Sequence, residues 1–249
     1  MRSMEFMKRL AESYIKEKFP FRELVKFRRV DEQEHFFRRV AMTYEHANHA
    51  PNDPNVKSAY NALKEGVVIQ FEYMVDSGIQ VKPYLKEGQP YETSGEMMRE
   101  IASTNMLYVF LTKNGYGSPD HQPSPGHPMQ EHSGIEIDRT KFCYNDLLRA
   151  VHDYYCHYLF KTNFSVTGEC MAALMHLSLL SKTAGLAAFS EIVGQICWFY
   201  YGTHLLNDEL KIPKKGSEAY LPLGIRPYPR QKAVLLPKCL MMKLYEYVS

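Results

Sequence analysis

The sequence predicts a mainly helical α+β protein, in which a helical core carries a polar site, the middle of the chain adds a small β-sheet, and an extended proline-rich tail follows. Three observations lead to this fold class. Several segments repeat apolar residues every three or four positions, as amphipathic helices do. Residues 105–112, NMLYVFLT, are β-branched and aromatic, which is typical of a strand. Five prolines lie between Pro213 and Pro237 and disfavour regular elements there.

Composition limits the classes of protein that remain. The chain has 249 residues, 45% of them hydrophobic and 23% charged, with a formal net charge of +2. These values exclude wholesale disorder and give no global attraction to nucleic acid. We expect a helical N-terminal arm over residues 1–43, a core metal-site domain over 44–212, and a wrapping tail with a short C-terminal helix over 213–249.

The cysteines and the N-terminal residues predict the cellular compartment of the protein. Five cysteines without a CxxC pair make a disulfide framework improbable and favour a reducing cytoplasm. Charges interrupt the apolar residues of the N-terminus, which therefore predicts neither a signal peptide nor a membrane span.

The N-terminal arm has an amphipathic stripe from Met4 to Phe19, which predicts a helix that ends before Pro20. Residues 21–40 then alternate basic and aromatic side chains. This pattern has two interpretations: a surface for phosphates and bases, or a solvated helical arm that packs its phenylalanines on the body, since acidic residues dilute the charge.

The helices and strands that follow are predicted from residues that cap helices and from glycines and prolines that end or interrupt regular structure. Asp53 or Asn55 caps a structural helix that runs from Val56 to Asp76, with Gly78 beyond its end. A strand up to Val81, a helix that begins at Thr93 or Ser94, the strand at 105–112 and a strand at 134–137 with a turn at 138–140 come next. Residues 114–134, rich in Gly, Pro and His, form either a lid or binding loop or a mobile segment.

Three helices are predicted for the core. The first begins at Asn145 or Asp146, the second is capped by Thr167, and the third runs from Lys182 to His204. A short helix closes the chain near Cys239. In the loop after Tyr44, His46 and His49 are three apart and are either metal ligands or hydrogen-bonded surface groups.

The core helices carry ionisable groups in apolar surroundings: His152, His157, Glu169, His176 and Glu191. Between Val151 and Gly202 the cations are Lys161 and Lys182 alone, so few partners exist for buried carboxylates. Three interpretations follow: a metal centre, a structural polar network, or metal-free chemistry at Cys156 beside His157 or at Cys170 beside Glu169.

Helical geometry restricts the metal centre. His152 and His157 are five apart, which separates them by about 140° on a straight α-helix, so they meet only if the helix ends or bends between them. Glu169 and His176 are seven apart and share a helix face, while Glu191, Gln195 and Trp198 form a second stripe. Three helices could thus supply two imidazoles and a carboxylate to one ion.

Two resemblances extend this interpretation. The segment YNDLLRAVHDYYCH, followed by GE, His176 and SEIVGQ, resembles an uncharacterised domain of bacteriophage and mobile-element proteins, which reads approximately NDLFRxVHDFFGH, GEExAW and ETxGQ. That resemblance covers roughly Tyr44 to Gly202 and implies a phage origin without an activity.

The shorter motif HDYYCH is similar to HDxFGH of the bacterial aromatic amino acid hydroxylases, in which two histidines and a later glutamate hold a non-haem iron. The resemblance implies Fe(II), with zinc as the alternative, bound by His152, His157 and Glu191. Cys156 stands where that family has glycine, and no pterin-binding segment is found, so phenylalanine is not implied as substrate.

The sequence therefore predicts a phage-encoded non-haem iron enzyme of the oxygenase or hydroxylase type, which acts on a small molecule or a nucleotide. Glu169, His176 and Gln195 would surround the metal or contact substrate, with Glu169 as the alternative carboxylate ligand. Rival hypotheses are a virion or DNA-injection component, a zinc-dependent hydrolase and a dinuclear centre. We expect host cytoplasm or the virion as location, a homo-oligomer or virion assembly as partners, and no membrane insertion.

Overall fold

A computed structural model of the chain describes residues 33–114 and 124–247, together with Ser13, Tyr14 and Glu17. Apart from these three positions, the helix predicted from Met4 to Phe19 lies outside the described residues. So do the first part of the basic and aromatic segment and residues 115–123 of the long loop. What is described is α+β and mainly helical, with two small sheets of two strands each.

Within residues 33–114 and 124–247, the helical part consists of eight α-helices, two π-helical segments and four short 3₁₀ helices. The α-helices are α1 Glu34–His46, α2 Pro54–Asp76, α3 Ser94–Thr104, α4 Tyr144–His152, α5 Val166–Ser178, α6 Lys182–Phe189, α7 Gln195–Tyr201 and α8 Lys238–Glu246. One π-helical segment, Asp153–Leu159, continues α4, and the other, Ser190–Gly194, joins α6 to α7.

Polar side chains cap the N-termini of several of these helices. Asp53 accepts hydrogen bonds from the backbone N–H groups of Asn55 and Val56 at the start of α2, and Thr93 caps α3 as predicted. At α5 the prediction of Thr167 as the cap was wrong. Ser165 holds that position and accepts from the N–H of Gly168, because the helix begins two residues earlier than expected.

The strands form one parallel and one antiparallel pair. Strand β1, Gln80–Tyr84, pairs in parallel with β2, Met106–Phe110, and α3 makes the crossover between them. Strands β3, His132–Ile137, and β4, Thr140–Cys143, form a hairpin. Its turn residues Asp138 and Arg139 both have positive φ, 49° and 62°, as a type I′ turn requires. The sequence did not predict β4 or the division into two sheets.

The core lies between the helices. Helix α2 packs on α4 and α6, and α1 packs on α7. Fully buried side chains such as Leu63 and Val67 fill the interface, and each contributes about 1.5–3 kcal/mol through burial. Helix α1 and the second π-helical segment approach closely at Gly194. A Cβ atom at this position would lie 2.7 Å from Cδ2 of Tyr44, so the contact requires glycine.

The proline-rich tail is extended, and part of it is buried in this core. The Lys232 ammonium donates to the carbonyl oxygens of Tyr44, Glu45 and Ala47 at the end of α1. The backbone N–H of Leu236 donates to Ser190 Oγ. Helix α1 itself runs across residue 43, where we placed a domain boundary. Within the described residues, no helix has the length and apolar character needed to cross a bilayer.

Candidate metal centre

The first π-helical segment brings the two histidines of HDYYCH together. In a π-helix, hydrogen bonds join residue i to i+5 instead of i+4, so residues five apart lie on nearly the same face. The ring centroids of His152 and His157 are 4.8 Å apart. On a straight α-helix, a separation of about 140° would keep the two rings from binding one ion. The π-helical segment reduces this separation while the helix continues.

A carboxylate from the next helix completes this cluster. Glu169 Oε2, at the start of α5, lies 3.4 Å from His152 Nε2 and 3.4 Å from His157 Nε2. Donor atoms bound to one ion at about 2.1 Å are separated by roughly 3.0 Å in octahedral and 3.4 Å in tetrahedral geometry. The spacing therefore fits a single first-row metal ion.

The hydrogen bonds of His157 fix which nitrogen faces Glu169. Its Nδ1 lies 3.2 Å from the carbonyl oxygen of Thr162 and 2.8 Å from Thr162 Oγ1. That hydroxyl donates its own proton to the carbonyl of Cys156. Both neighbours of Nδ1 are therefore acceptors, so Nδ1 carries a proton, and Nε2 is the nitrogen that faces Glu169 and that a metal ion would take in exchange for its proton.

A longer chain of hydrogen bonds orients His152. The Gln70 amide donates to the carbonyl of Leu179 and accepts at Oε1 from His176 Nε2, over 2.9 Å. His176 Nδ1 then has a lone pair, which faces His152 Nδ1 at 3.4 Å. His152 Nδ1 is thus a donor to His176, and its Nε2 is the nitrogen that faces Glu169. Such outer hydrogen bonds commonly orient metal-ligating imidazoles.

The electrostatics of the cluster couple Glu169 to the two rings, so protons and a metal ion compete for the Nε2 positions. Burial would raise the pKa of Glu169, but His157 and His152 outweigh it and hold that pKa at about 2. Burial would lower the pKa of His157, and the Glu169 charge outweighs it and raises that pKa. Burial and the neighbouring His152 keep the pKa of His176 well below its ordinary value, so this ring is neutral.

A second grouping shares His152: its ring, the Cys156 thiol and His176 come within ligand distance of one another. Burial, then the charges of Asp153 and Glu169, raise the pKa of the Cys156 thiol well above its usual range. The thiol is therefore protonated, which disfavours it both as a nucleophile and as a ligand.

The cluster of His152, His157 and Glu169 borders a pocket of about 330 Å³. The pocket lies between α4 and the continuous helix formed by α6, its π-helical segment and α7. Its apolar walls are Leu148, Phe164, Ile192, Ile196, Phe199, Tyr200, Tyr228 and Pro229, and its polar groups are Asn145, Arg149, His152, Asp153, Glu169, Glu191 and Gln195. A small, partly apolar molecule could thus reach the His152 and Glu169 side of the cluster.

Glu191, the predicted carboxylate ligand, also lines this pocket, but it belongs to neither metal-binding grouping. Its Oε1 accepts from the Tyr60 hydroxyl and lies 3.3 Å from His127 Nε2. Its Oε2 accepts from the Gln195 amide over 2.9 Å. These partners hold the carboxylate at the pocket wall, and Glu169 is the carboxylate that the structure brings to the two imidazoles.

The other predicted residues are distributed as follows. His176 lies behind His152, and Gln195 pairs its amide with that of Gln231 as well as with Glu191. His46 bonds the carbonyl of Met42, while His49 bonds that of Pro125, so no shared ligand position is formed by these two histidines.

Four residues that contact the centre or its pocket were not predicted. Gln70 and Thr162 orient the two imidazoles, and Tyr60 and His127 hold Glu191. Helix α2, which we expected to be structural, supplies two of them. Each is a common polar residue without a motif spacing to its partner, so only the tertiary fold reveals its role.

Comparison of the chain with profiles of protein families, with curated proteins and with solved structures finds no match. The function of the protein is therefore inferred from the chemistry of the site itself.

Proposed function

We propose that the protein is a metal-dependent enzyme with a mononuclear centre at His152, His157 and Glu169, that the metal is Fe(II), and that the reaction is an oxygenation or hydroxylation. The observation that carries the proposal is the convergence of His152 Nε2, His157 Nε2 and Glu169 Oε2, with both imidazoles held in the tautomer that offers Nε2. Two histidines and one carboxylate, with further positions open, form the donor set of non-haem Fe(II) oxygenases.

The environment supports a catalytic rather than a purely structural ion. Structural zinc sites are usually closed by four protein ligands, whereas three ligands leave a position for water or substrate. Here the carboxylate and one imidazole border a pocket with aromatic walls. A bound metal would supply a Lewis acid and, for Fe(II), an oxygen-binding position. The chain would hold the substrate, exclude bulk water and orient the ligands.

The polar wall opposite the centre would position the substrate. Tyr60 and Gln195 donate hydrogen bonds to the Glu191 carboxylate, and His127 Nε2 lies 3.3 Å from it, so it can accept a hydrogen bond from a ligand without reorganising. Arg149 lines the same pocket and can donate to an anionic or carbonyl group. A nucleotide or nucleobase, which combines a planar ring with donors and acceptors, is our candidate substrate.

A second candidate function is zinc-dependent hydrolysis. The separation of 3.4 Å between Glu169 Oε2 and each imidazole nitrogen equals the edge expected for tetrahedral coordination at about 2.1 Å. Two histidines and a glutamate also form the donor set of several zinc hydrolases. In this case Glu191 or Asp153, on the pocket wall, would be the general base.

Metal analysis tests both candidates. Protein purified without oxygen is loaded with Fe(II) or Zn(II), dialysed and analysed for metal. Wild type is expected to retain about one equivalent. His157→Ala and Glu169→Gln are expected to lose at least about 90% of it, because a vacant ligand position weakens binding severely. Glu191→Gln, a matched change on the same pocket, is expected to retain it.

The outcomes separate the hypotheses. Retention of iron, with oxygen consumption that Glu169→Gln abolishes, supports the oxygenase. Retention of zinc alone supports the hydrolase. A wild-type protein that retains no metal after either loading contradicts both and favours a structural polar network. Loss of metal in Glu191→Gln but not in Glu169→Gln would show that the wrong carboxylate was chosen.

A further inference from the structure

A second cavity, which we call the arginine groove, shares Tyr200 with the metal-site pocket. It has a volume of about 490 Å³ and is lined by Glu34, Arg38, Tyr200, Tyr201, Lys211, Ile212, Tyr220, Leu223 and Arg226. Three of these residues are cationic and one is acidic. Tyr200 lines both cavities, so the groove and the pocket are neighbours with one shared wall.

Arg226 is the unusual member of this groove because its charge is buried and no carboxylate among the described residues pairs with it. Arg226 is only 7% exposed to solvent. Nε donates to the carbonyl of Leu221 and Nη1 to that of Phe199. Within the part of the chain that the structure describes, Nη2 donates to nothing. Buried charges are normally paired, so a donor left free in a cavity indicates a place for an anion.

The surroundings of Arg226 support this interpretation. Its guanidinium carbon lies 5.5 Å from the ring centroid of Tyr220, 5.8 Å from that of Tyr200 and 5.9 Å from that of Phe199. Rings at these distances stabilise a cation but leave its charge uncompensated. They also restrict the guanidinium to one orientation, which reduces the entropy lost when an anion binds.

Two further cations reach the same groove. Arg38 pairs with Glu34 over 2.7 Å, and Lys211 pairs with Glu209 over 2.9 Å. The second pair is largely exposed, and exposed pairs contribute little. Lys211 can therefore turn to a ligand at small cost. Arg226, Lys211 and Arg38 would then surround one multiply charged group.

We propose that the arginine groove binds the phosphate of a nucleotide, with Arg226 as the fixed donor, Lys211 and Arg38 as additional cations, and a tyrosine ring as the surface against which the base stacks. A charged guanidinium N–H such as that of Arg226 Nη2 forms a short, strong hydrogen bond to a phosphate oxygen, and bases stack on aromatic side chains in sites that bind without sequence preference. Free nucleotides and single-stranded nucleic acid share this chemistry. The proposal does not depend on a bound metal.

Binding measurements on chelator-treated protein test the proposal without interference from a metal ion. Isothermal titration uses inorganic phosphate, adenosine 5′-monophosphate, adenosine as the phosphate-free match, and a short oligothymidylate. The monophosphate is expected to bind, whereas adenosine is not. Arg226→Gln is expected to weaken binding at least about tenfold, and Lys211→Gln about two- to fivefold. Lys215→Gln, an exposed lysine outside the groove, should have no effect.

Arg226→Lys distinguishes a loss of phosphate binding from a loss of folding, because lysine retains the positive charge and a hydrogen-bond donor. It should bind more tightly than Arg226→Gln, while Lys211→Gln should unfold at the wild-type temperature. An oligothymidylate that binds more tightly than the monophosphate, with steep dependence on salt, would identify nucleic acid as the source of the phosphate. Equal affinity for the monophosphate and adenosine, no binding of any probe at about 10 mM, or equal effects of Lys211→Gln and Lys215→Gln would overturn the proposal.

Discussion

At the scale of single residues, the metal centre depends on the positions of two protons. The carbonyl and hydroxyl of Thr162 hold one on His157 Nδ1, and the lone pair of His176 holds the other on His152 Nδ1. The histidines and Glu169 could be recognised in the sequence because ionisable groups are rare in an apolar helical run. Thr162 and Gln70 could not, because polar residues of their type are common and their partners are set by the fold.

The chain from Gln70 to His152 gives a prediction at this scale. Gln70→Leu removes the acceptor of His176 Nε2–H, so the protons of both rings can redistribute and His152 loses its fixed tautomer. We expect metal affinity to fall about 10- to 100-fold without complete loss, as for other groups that orient metal ligands. Competition with a chromophoric chelator measures the change.

Gln80→Leu, an exposed change on β1, is the control for that experiment and should bind metal as wild type does. If Gln70→Leu matches wild type as well, the proposed chain of hydrogen bonds does not orient His152.

At the scale of elements, a single lysine makes three of the hydrogen bonds that hold the tail on the body. The Lys232 ammonium donates to three carbonyl oxygens at the C-terminal end of α1, over 3.1, 2.5 and 3.0 Å, and lies 5.6 Å from the ring centroid of Tyr44. A cation is favoured there because the last carbonyls of a helix lack backbone partners and carry partial negative charge. The sequence predicted an extended tail, but not which helix end it would contact.

Lys232→Met keeps the length of this side chain and removes its charge. We expect the free energy of unfolding to fall by about 1–3 kcal/mol, since hydrogen bonds to a charged donor are lost and three carbonyls lose their partner. Urea denaturation gives the value. Lys238→Met, an exposed change in the same tail, should stay within about 0.5 kcal/mol of wild type. Equal stability of the two variants would show that Lys232 does not anchor the tail.

At the scale of the whole molecule, the aromatic-rich composition becomes a core of buried tyrosines. Burial is the main cause that raises the pKa of Tyr14 and of Tyr91 to about 12. It raises the pKa of Tyr44, Tyr60 and Tyr155 well above the ordinary value of 10. The fold class could be predicted from helical periodicity. The pairing of β1 with β2 could not, because it joins residues about 25 apart through contacts that no local pattern specifies.

These tyrosines predict the dependence of stability on alkaline pH. Their folded pKa values lie above the unfolded value of about 10, so the folded state retains protons that the unfolded chain releases. Their contribution to stability is complete below pH 10 and is lost as pH rises through about 12. We expect unfolding in this range, with absorbance at 295 nm rising together with the loss of helical circular dichroism.

Two controls accompany the titration. The same chain in concentrated urea should ionise gradually near pH 10 without a cooperative step. A folded protein whose tyrosines all ionise near pH 10, while its circular dichroism remains native, would contradict the prediction.

The two π-helical segments have a consequence for how such a site arises and is recognised. Each can be regarded as an α-helix with one additional residue, and each carries a key side chain: His157 in one and Glu191 in the other. Removing one residue between His152 and His157 would bring them four apart in an ordinary α-helix. The loop that supplies Thr162 would shift with it. Two histidines four apart on an α-helix also share a face, so between related chains an exchange of one spacing for the other would appear as a gap of one position inside a helix, rather than as a change of amino acid.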